Sequence, residues 1–442
     1  MSLHQQHQRD RRLFLQGGVA IGASLLSRRA VADTSTRSES SSAATSGEKQ
    51  RVAIIGVNNR GSALAKGFIA NPDADVVCVC DVDSRAGEKA AAMVEGLSKQ
   101  RPDTATDIRK VLDRSDIDAI VVATPNHWHA PATIMGCAAG KHVYVEKPCS
   151  HTAQEGEWAV EAARKHNRTV MMGSQRRSWP AIIQGIEMVQ SGRIGKVSYA
   201  RTWYNNRRAS IGIGKQTSVP QWLDWELWQG PAPRQPYVDN LVHYNWHWKW
   251  PYGNGELGNN GIHMLDLARW GLQVTYPNRV NAGGGKYRHD DDQETPDTMM
   301  VTYDFPEAKT ITWEGISWSP MGPYDDQVGV SFHGSEGTLV VLGTGYTLFD
   351  DHNKEIETVS DAGGDTAHIA EFIDCIHSGR LPNADIAEAH RSTLLCHLGN
   401  IAYRTSSTLH IDPATGKPQD HPDAQRMWGR DYAEGWSPQL SM

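Results

Sequence analysis

Residues 51–83 read RVAIIGVNNRGSALAKGFIANPDADVVCVCDVD, and this stretch decides the fold. Arg51 to Gly56 is an apolar run of strand length, Val57 to Gly61 a turn, and Ser62 to Ala70 a helix with apolar residues at Leu64, Phe68 and Ile69. A second apolar run from Ala74 follows, so the unit is strand–helix–strand. Between the first strand and the helix stands Gly56-Val57-Asn58-Asn59-Arg60-Gly61, the spacing of the dinucleotide fingerprint with Asn58 in the middle glycine position. Asn tolerates positive φ better than other side chains, so the turn survives with an altered approach of backbone to pyrophosphate. Asp81 ends the second strand 20 residues past Gly61, where an acid bonds the ribose diol and favours NAD over a 2′-phosphorylated cofactor. Arg60 and Arg85 leave NADP open, and the plain alternative for Asp81 is the start of a loop.

The pattern continues with a helix in TDIRKVLDRSDI, a strand in DAIVVAT, a loop and helix in PNHWHAPATIMGCAAG and a strand in HVYVEKP. A helix over Ala153–His166 and a strand over Thr169–Met172 complete an α/β fold with a doubly wound parallel sheet. Ligands of such sheets bind beyond the C-terminal strand ends, which places Thr124, Asn126, His129, Glu146, Lys147, Gln175 and Arg176 along one rim. His127 and His129 have metal-ligand character, but no third ligand lies near them in sequence, so no metal is expected.

The 442-residue chain is too long for one ordinary core, and its 39% hydrophobic and 21% charged residues are those of a globular protein. Residues 9–35, RDRRLFLQGGVAIGASLLSRRAVADTS, pair Arg11-Arg12 with a short apolar run and end in Ala30-Val31-Ala32. The run is too short to span a bilayer and resembles a twin-arginine (Tat) signal over residues 1–32, with Asp10 departing from the pattern. Residues 33–49 read as a polar linker. Removing residues 1–32 deletes five Arg and one Asp, taking the formal charge from −7 to −11. An acidic mature chain without a basic patch argues against nucleic acid or an anionic membrane as partner. The six Cys show no metal-type spacing, and folding before export in a reducing compartment leaves them as free thiols.

The glycine turn, TPNHWHA, EKP, GSQRR, GRIGKV and GIHMLDLARW, in this order, resemble the Gfo/Idh/MocA oxidoreductases. The resemblance runs from Arg51 to about Ser406 and implies a Rossmann domain over 50–178. It also implies a C-terminal α/β domain over 179–442 with an open, mostly antiparallel sheet. Alternating runs such as VSYARTWY and KTITWEGISW support that sheet independently. An open sheet face calls for a homodimer or homotetramer.

The resemblance makes Lys147 of EKP and His263 the catalytic residues. Family members commonly carry Asp four residues before that His; here the position is Asn259, which hydrogen-bonds but supplies no charge. His263 is the first choice for the base that takes a sugar hydroxyl proton while hydride leaves for the nicotinamide, and Lys147 orients the hydroxyl. Arg176, Tyr204, His243, Trp246, His247, Tyr252 and Asn259 are the expected substrate contacts. Free NAD(H) is scarce in the periplasm, so export implies a tightly bound cofactor restored within each cycle. Expected, then, is hydride transfer to or from a small carbohydrate. The alternatives are a redox-neutral NAD-dependent glycosidase and a non-catalytic sugar-binding protein.

Overall fold

The computed structural model describes residues 49–438; the signal peptide and nearly all of the linker read from the sequence lie outside them. Six parallel strands form the first sheet: β1 (Gln50–Ile55), β2 (Ala74–Cys80), β3 (Asp103–Ala105), β4 (Ala119–Val122), β5 (His142–Val145) and β6 (Val170–Met172). Their order is β3-β2-β1-β4-β5-β6, the doubly wound arrangement with its switch point between β1 and β4. β4 is buried at every position, as expected of a strand covered on both faces by helices. Those helices are α1 (Arg60–Ala70), α2 (Ser84–Ser98), α3 (Ile108–Leu112), α4 (Asn126–Ala138) and α5 (Ala153–Lys165).

Two elements escape the motif reading. α2 begins where the Asp83 carboxylate accepts from the Arg85 and Ala86 amides, and its Ala-rich stretch propagates from that cap. β3 is a three-residue edge strand, too short to show periodicity. The helix read over residues 106–117 is only five residues long, because the polar Asp113-Arg114-Ser115-Asp116 run leaves it no apolar face to bury.

The second sheet has nine strands: β7 (Val197–Asn205), β8 (Arg279–Gly285), β9 (Thr298–Phe305), β10 (Lys309–Ile316), β11 (Val328–Gly334), β12 (Gly337–Leu342), β13 (Gly345–Asp350), β14 (Glu355–Ser360) and β15 (Leu409–His410). The order is β14-β13-β12-β11-β7-β10-β9-β8-β15, antiparallel throughout except for β7 beside β10. The helices of this half of the chain are α6 (Pro180–Gln190), α7 (Trp225–Gln229), α8 (Ile262–Leu272), α9 (Thr366–Ser378), α10 (Ile386–Thr405) and α11 (Pro422–Arg426). α8 lies close against the sheet, and a Cβ on Gly271 would strike the Phe332 ring.

The two halves share their cores. Phe372 of α9 packs edge-on against Phe68 and Tyr144, so a helix some two hundred residues later completes the first sheet's core. Met171 of β6 bridges to Asp385, and Arg177 forms a buried two-pronged ion pair with Asp266 of α8 (2.7 and 2.8 Å). Asp266, close in sequence to His263, also accepts from Ser392 (2.6 Å) and is thereby committed to packing. All six Cys are buried free thiols.

The glycine turn is held by contact. Gly56 has φ +80°, and a Cβ there would lie 2.9 Å from the Ala123 carbonyl oxygen; a Cβ on Gly61 would overlap the Gly56 carbonyl. Gly61→Ala therefore lowers the melting temperature, since backbone must move to accept the methyl. Gly87→Ala, inside α2 with no heavy atom within 4 Å, should instead add about 1 kcal/mol. Thermal unfolding of the two variants beside the parent checks both signs.

Candidate active site

A cavity of about 470 Å³ runs along the C-terminal rim of the parallel sheet. At one end it is lined by Gly56, Asn58, Asn59, Arg60 and Asp81, at the other by Lys147, Asn259 and His263. α1 starts there without a side-chain cap on its first turn, so its leading amides are left for an anion. Asp81 Oδ2 accepts from the Val57 amide (2.7 Å) and Oδ1 from the Asp83 amide (2.9 Å). The acid at the end of β2 thus braces the glycine turn as well as facing the cavity. Thr124 lines the same wall, and its buried hydroxyl has no partner. An uncapped helix, a carboxylate at the strand end and an unpaired buried hydroxyl fit a nicotinamide dinucleotide.

Neither nearby arginine is free. Arg60 donates to Glu146 (2.7 Å) and in a fork to Asp365 (2.7 and 2.8 Å). Arg85 is paired with Asp83 (2.8 Å) and lies 3.5 Å over the Trp222 ring. Gln175 lines the cavity as well. Glu146 thus holds Arg60 and also touches the amide of Lys147 (3.3 Å).

Lys147 lies two residues past the end of β5, followed by a cis peptide to Pro148. Its ammonium donates to the Asn259 carbonyl (2.7 Å) and to Asn259 Oδ1 (3.2 Å). Asn259 sits in a π-helical turn, Leu257–Gly261, that runs directly into α8; such turns misalign the helical ladder and recur at functional sites. Burial lowers the Lys147 pKa from its usual value. His263, one residue into α8, lines the cavity, and its ring makes no hydrogen bond among the described residues. Burial first, then repulsion from Lys147, Arg176 and Arg60, holds its pKa well below the ordinary histidine value. Glu256 does not replace the charge missing at Asn259, because it is engaged by Arg208 (2.6 Å), Ser317 (3.2 Å) and Asn260.

A strap over residues 206–250 lies along the cavity and is fastened to the end of β2. Leu223 bridges to Asp83, the Ser84 amide bonds the Trp222 carbonyl (3.0 Å), and His243 Nε2 lies 2.8 Å from Asp83 Oδ2. The strap carries its own apolar cluster, built on Trp225, Trp228, Tyr237 and Trp246. Leu227, Trp228 and Tyr244 line the cavity from above, and Ile108 and Trp128 from the sheet side. Sequence reasoning missed these five; the dense aromatics of the strap were the only signal for Trp228 and Tyr244.

Several expected contacts lie elsewhere. Gly61 packs beneath the turn and does not line the cavity. Tyr252 is buried at 2% exposure with its ring against Trp228 and His127, so it belongs to the strap's packing. Tyr204 has Arg208 over its ring and accepts from Asn206 (3.1 Å), away from the cavity wall. Arg176 donates to the Gly343 carbonyl and lies over Trp179. Asn126, His129, His243, Trp246 and His247 do line the cavity. Asn126 donates to Asn254 (3.0 Å), and Trp246 Nε1 donates to the His243 carbonyl (2.8 Å). His129 places its two ring nitrogens 2.6 Å from the Pro148 carbonyl and 2.8 Å from that of Thr124, tying together the turns after β4 and β5. His127, the other half of that histidine pair, faces the Trp228 carbonyl (2.9 Å).

Residues 50–174 match the oxidoreductase family with an NAD-binding Rossmann fold, and residues 196–437 match that family's C-terminal alpha/beta domain. A glycosyl hydrolase family 109 protein of Saccharopolyspora erythraea is 30% identical over 205 residues, 43% of this chain and 45% of that protein. An alpha-N-acetylgalactosaminidase of Shewanella oneidensis is 27% identical over 161 residues, 36% of this chain and 35% of that protein. The chain thus spans less than half the length of these curated relatives. Levoglucosan dehydrogenase, solved with NADH and levoglucosan, superposes with a TM-score of 0.64 at 19% identity, over 82% of this chain and 99% of that one. The aldose-aldose oxidoreductase of Caulobacter crescentus gives 0.64 at 19%, over 82% and 100%, and at such identities the likeness is one of fold. With both of its halves matched, the chain belongs to the Gfo/Idh/MocA oxidoreductase family and carries that family's NAD-binding Rossmann domain.

Proposed function

We propose that this protein transfers a hydride between a tightly held NAD and a hydroxyl of a sugar or glycoside, in the periplasm after export by the Tat route. The observation that carries the reading is one cavity that joins the dinucleotide turn to Lys147 and His263. Bound NAD supplies the hydride acceptor; the chain's own residues handle the proton and the geometry. Lys147 spends two of its three N–H donors on Asn259, and the third is left to hold a substrate oxygen. His263 is neutral at physiological pH and takes the hydroxyl proton.

Engaged arginines and Asp81 support NAD over NADP, because a 2′-phosphate would meet a carboxylate without a free guanidinium. A second reading, redox-neutral glycoside cleavage through transient oxidation, is favoured by the names of the curated relatives. An assembly of two or four copies through the open sheet fits either reading.

Acid denaturation of the purified protein should release NAD or NADH rather than the phosphorylated cofactor, identified by mass spectrometry. Release of no nucleotide, together with no NAD(H) binding by calorimetry, would overturn the proposal. Lys147→Ala and His263→Ala should each slow hydride transfer, followed at 340 nm, by roughly 10²–10⁴-fold while NAD binding persists. The pH profile follows from the same shifts. The His263 pKa is depressed, so the neutral base persists as pH falls through 6.5 and the acid limb lies below that value. The Lys147 ammonium is lost as pH rises through its lowered pKa, so the alkaline limb lies below 10.5.

A further inference from the structure

His247 sits on the strap, outside the strand-end motifs, and its geometry is that of a prepared base. Nδ1 is 2.6 Å from the Tyr244 carbonyl oxygen. A carbonyl only accepts, so Nδ1 carries the proton and Nε2 keeps its lone pair. Nε2 has no hydrogen-bond partner among the described residues, and the residue lines the same cavity as Lys147 and His263. The ring lies flat on Trp246, centroids 3.6 Å apart and planes at 20°, with Tyr244 on its flank at 4.7 Å. Its orientation is therefore set by packing before any ligand arrives. Burial, helped by repulsion from Lys147 and Arg208, pushes the imidazole pKa down to about 3 and keeps the ring neutral. His247 and His263 are thus both neutral imidazoles in the field of the Lys147 ammonium.

One hydride transfer needs one base, and His263 meets that need. A second oriented imidazole calls for a second proton. We propose that His247 is a further catalytic residue, the acid–base group that moves the proton on the carbon beside the one oxidised. This rests on the hydride-transfer reading above. Oxidation of a ring carbinol leaves a carbonyl, and the C–H bonds on the flanking carbons become acidic. A flanking C–H bond breaks, its proton passes to His247 Nε2, and its electron pair forms the C=C bond of an enolate. The carbonyl π pair moves onto oxygen, beside the Lys147 ammonium. Return of a proton from His247 restores the ketone. Where the next carbon carries a glycosidic oxygen, the enolate pair instead expels it, and the His247 imidazolium supplies the proton to the departing alcohol. No electrons leave the sugar in this step, so no further oxidant is required.

The experiment uses the full-length protein as purified, supplied with NAD, in D2O. The probes are the methyl α- and β-glycosides of glucose, galactose, N-acetylglucosamine and N-acetylgalactosamine. Hydride transfer is read at 340 nm, and deuterium at the ring carbons of recovered glycoside is read by NMR. The parent should incorporate deuterium beside the oxidised carbon. His247→Gln, which keeps the pocket filled, and His247→Ala should lose that exchange by roughly 10²–10⁴-fold relative to hydride transfer. Added imidazole should restore exchange in His247→Ala, a rescue that a purely structural role would not give. Hydride transfer with undiminished exchange in both variants, or with no exchange in the parent, overturns the role of His247 alone. Absence of any 340 nm change with all eight glycosides overturns the hydride-transfer reading and this role with it.

Discussion

A lysine ammonium brought to the end of a buried strand must find oxygen atoms, and in this protein it finds both of those offered by Asn259. Hydrogen bonds to a charged group are worth about 1.5–3 kcal/mol each, and leaving such a group without partners costs more. This pair therefore does more than position a side chain. It joins the turn after β5 to the π-helical turn that leads into α8, at one end of the cavity. It also accounts for the Asn in a position where an acid is common in the family. The carbonyl and the amide oxygen together give the ammonium two neutral acceptors. Burial holds the neighbouring imidazoles neutral, and repulsion from this cation adds to it.

The electrostatics of the site follow one pattern, in which cations are fixed and acids are spent on them. Arg60 is held by Glu146 and Asp365, Arg85 by Asp83, Arg177 by Asp266 and Arg208 by Glu256. Each of these acids bears on the cavity or on the elements around it, and each is already engaged. Proton transfer is left to groups without an acidic partner, His247 and His263 among them. Burial in a low-dielectric wall suppresses their charge, and neighbouring cations add to the effect.

The strap gives the cavity its second wall. Its backbone bonds to Val82 and Ser84, the hydrogen bond between His243 and Asp83 and its own tryptophan cluster fasten it over the end of β2. A segment from the second half thereby helps define the nucleotide site of the first. The reverse holds as well, since α9 supplies Phe372 to the core of the first sheet. Core and site are thus each shared across the chain, and neither half has a complete set of residues for either.

Much of this was legible in the sequence because it rests on short-range rules. Strand–turn–helix–strand periodicity, the glycine spacing and Asp81 determine a doubly wound sheet with a dinucleotide turn, since each follows from contacts within about thirty residues. Lys147 and His263 were legible through their motifs. That Tyr252, Tyr204 and Arg176 fall outside the cavity lining was not legible, because whether a polar or aromatic side chain lines a cavity depends on neighbours far along the chain. The engagement of Arg60 by Asp365, the acceptor pair at Asn259 and the tautomer of His247 were decided only in three dimensions. Each is a contact between segments that folding alone brings together, and no local pattern encodes the distance between them.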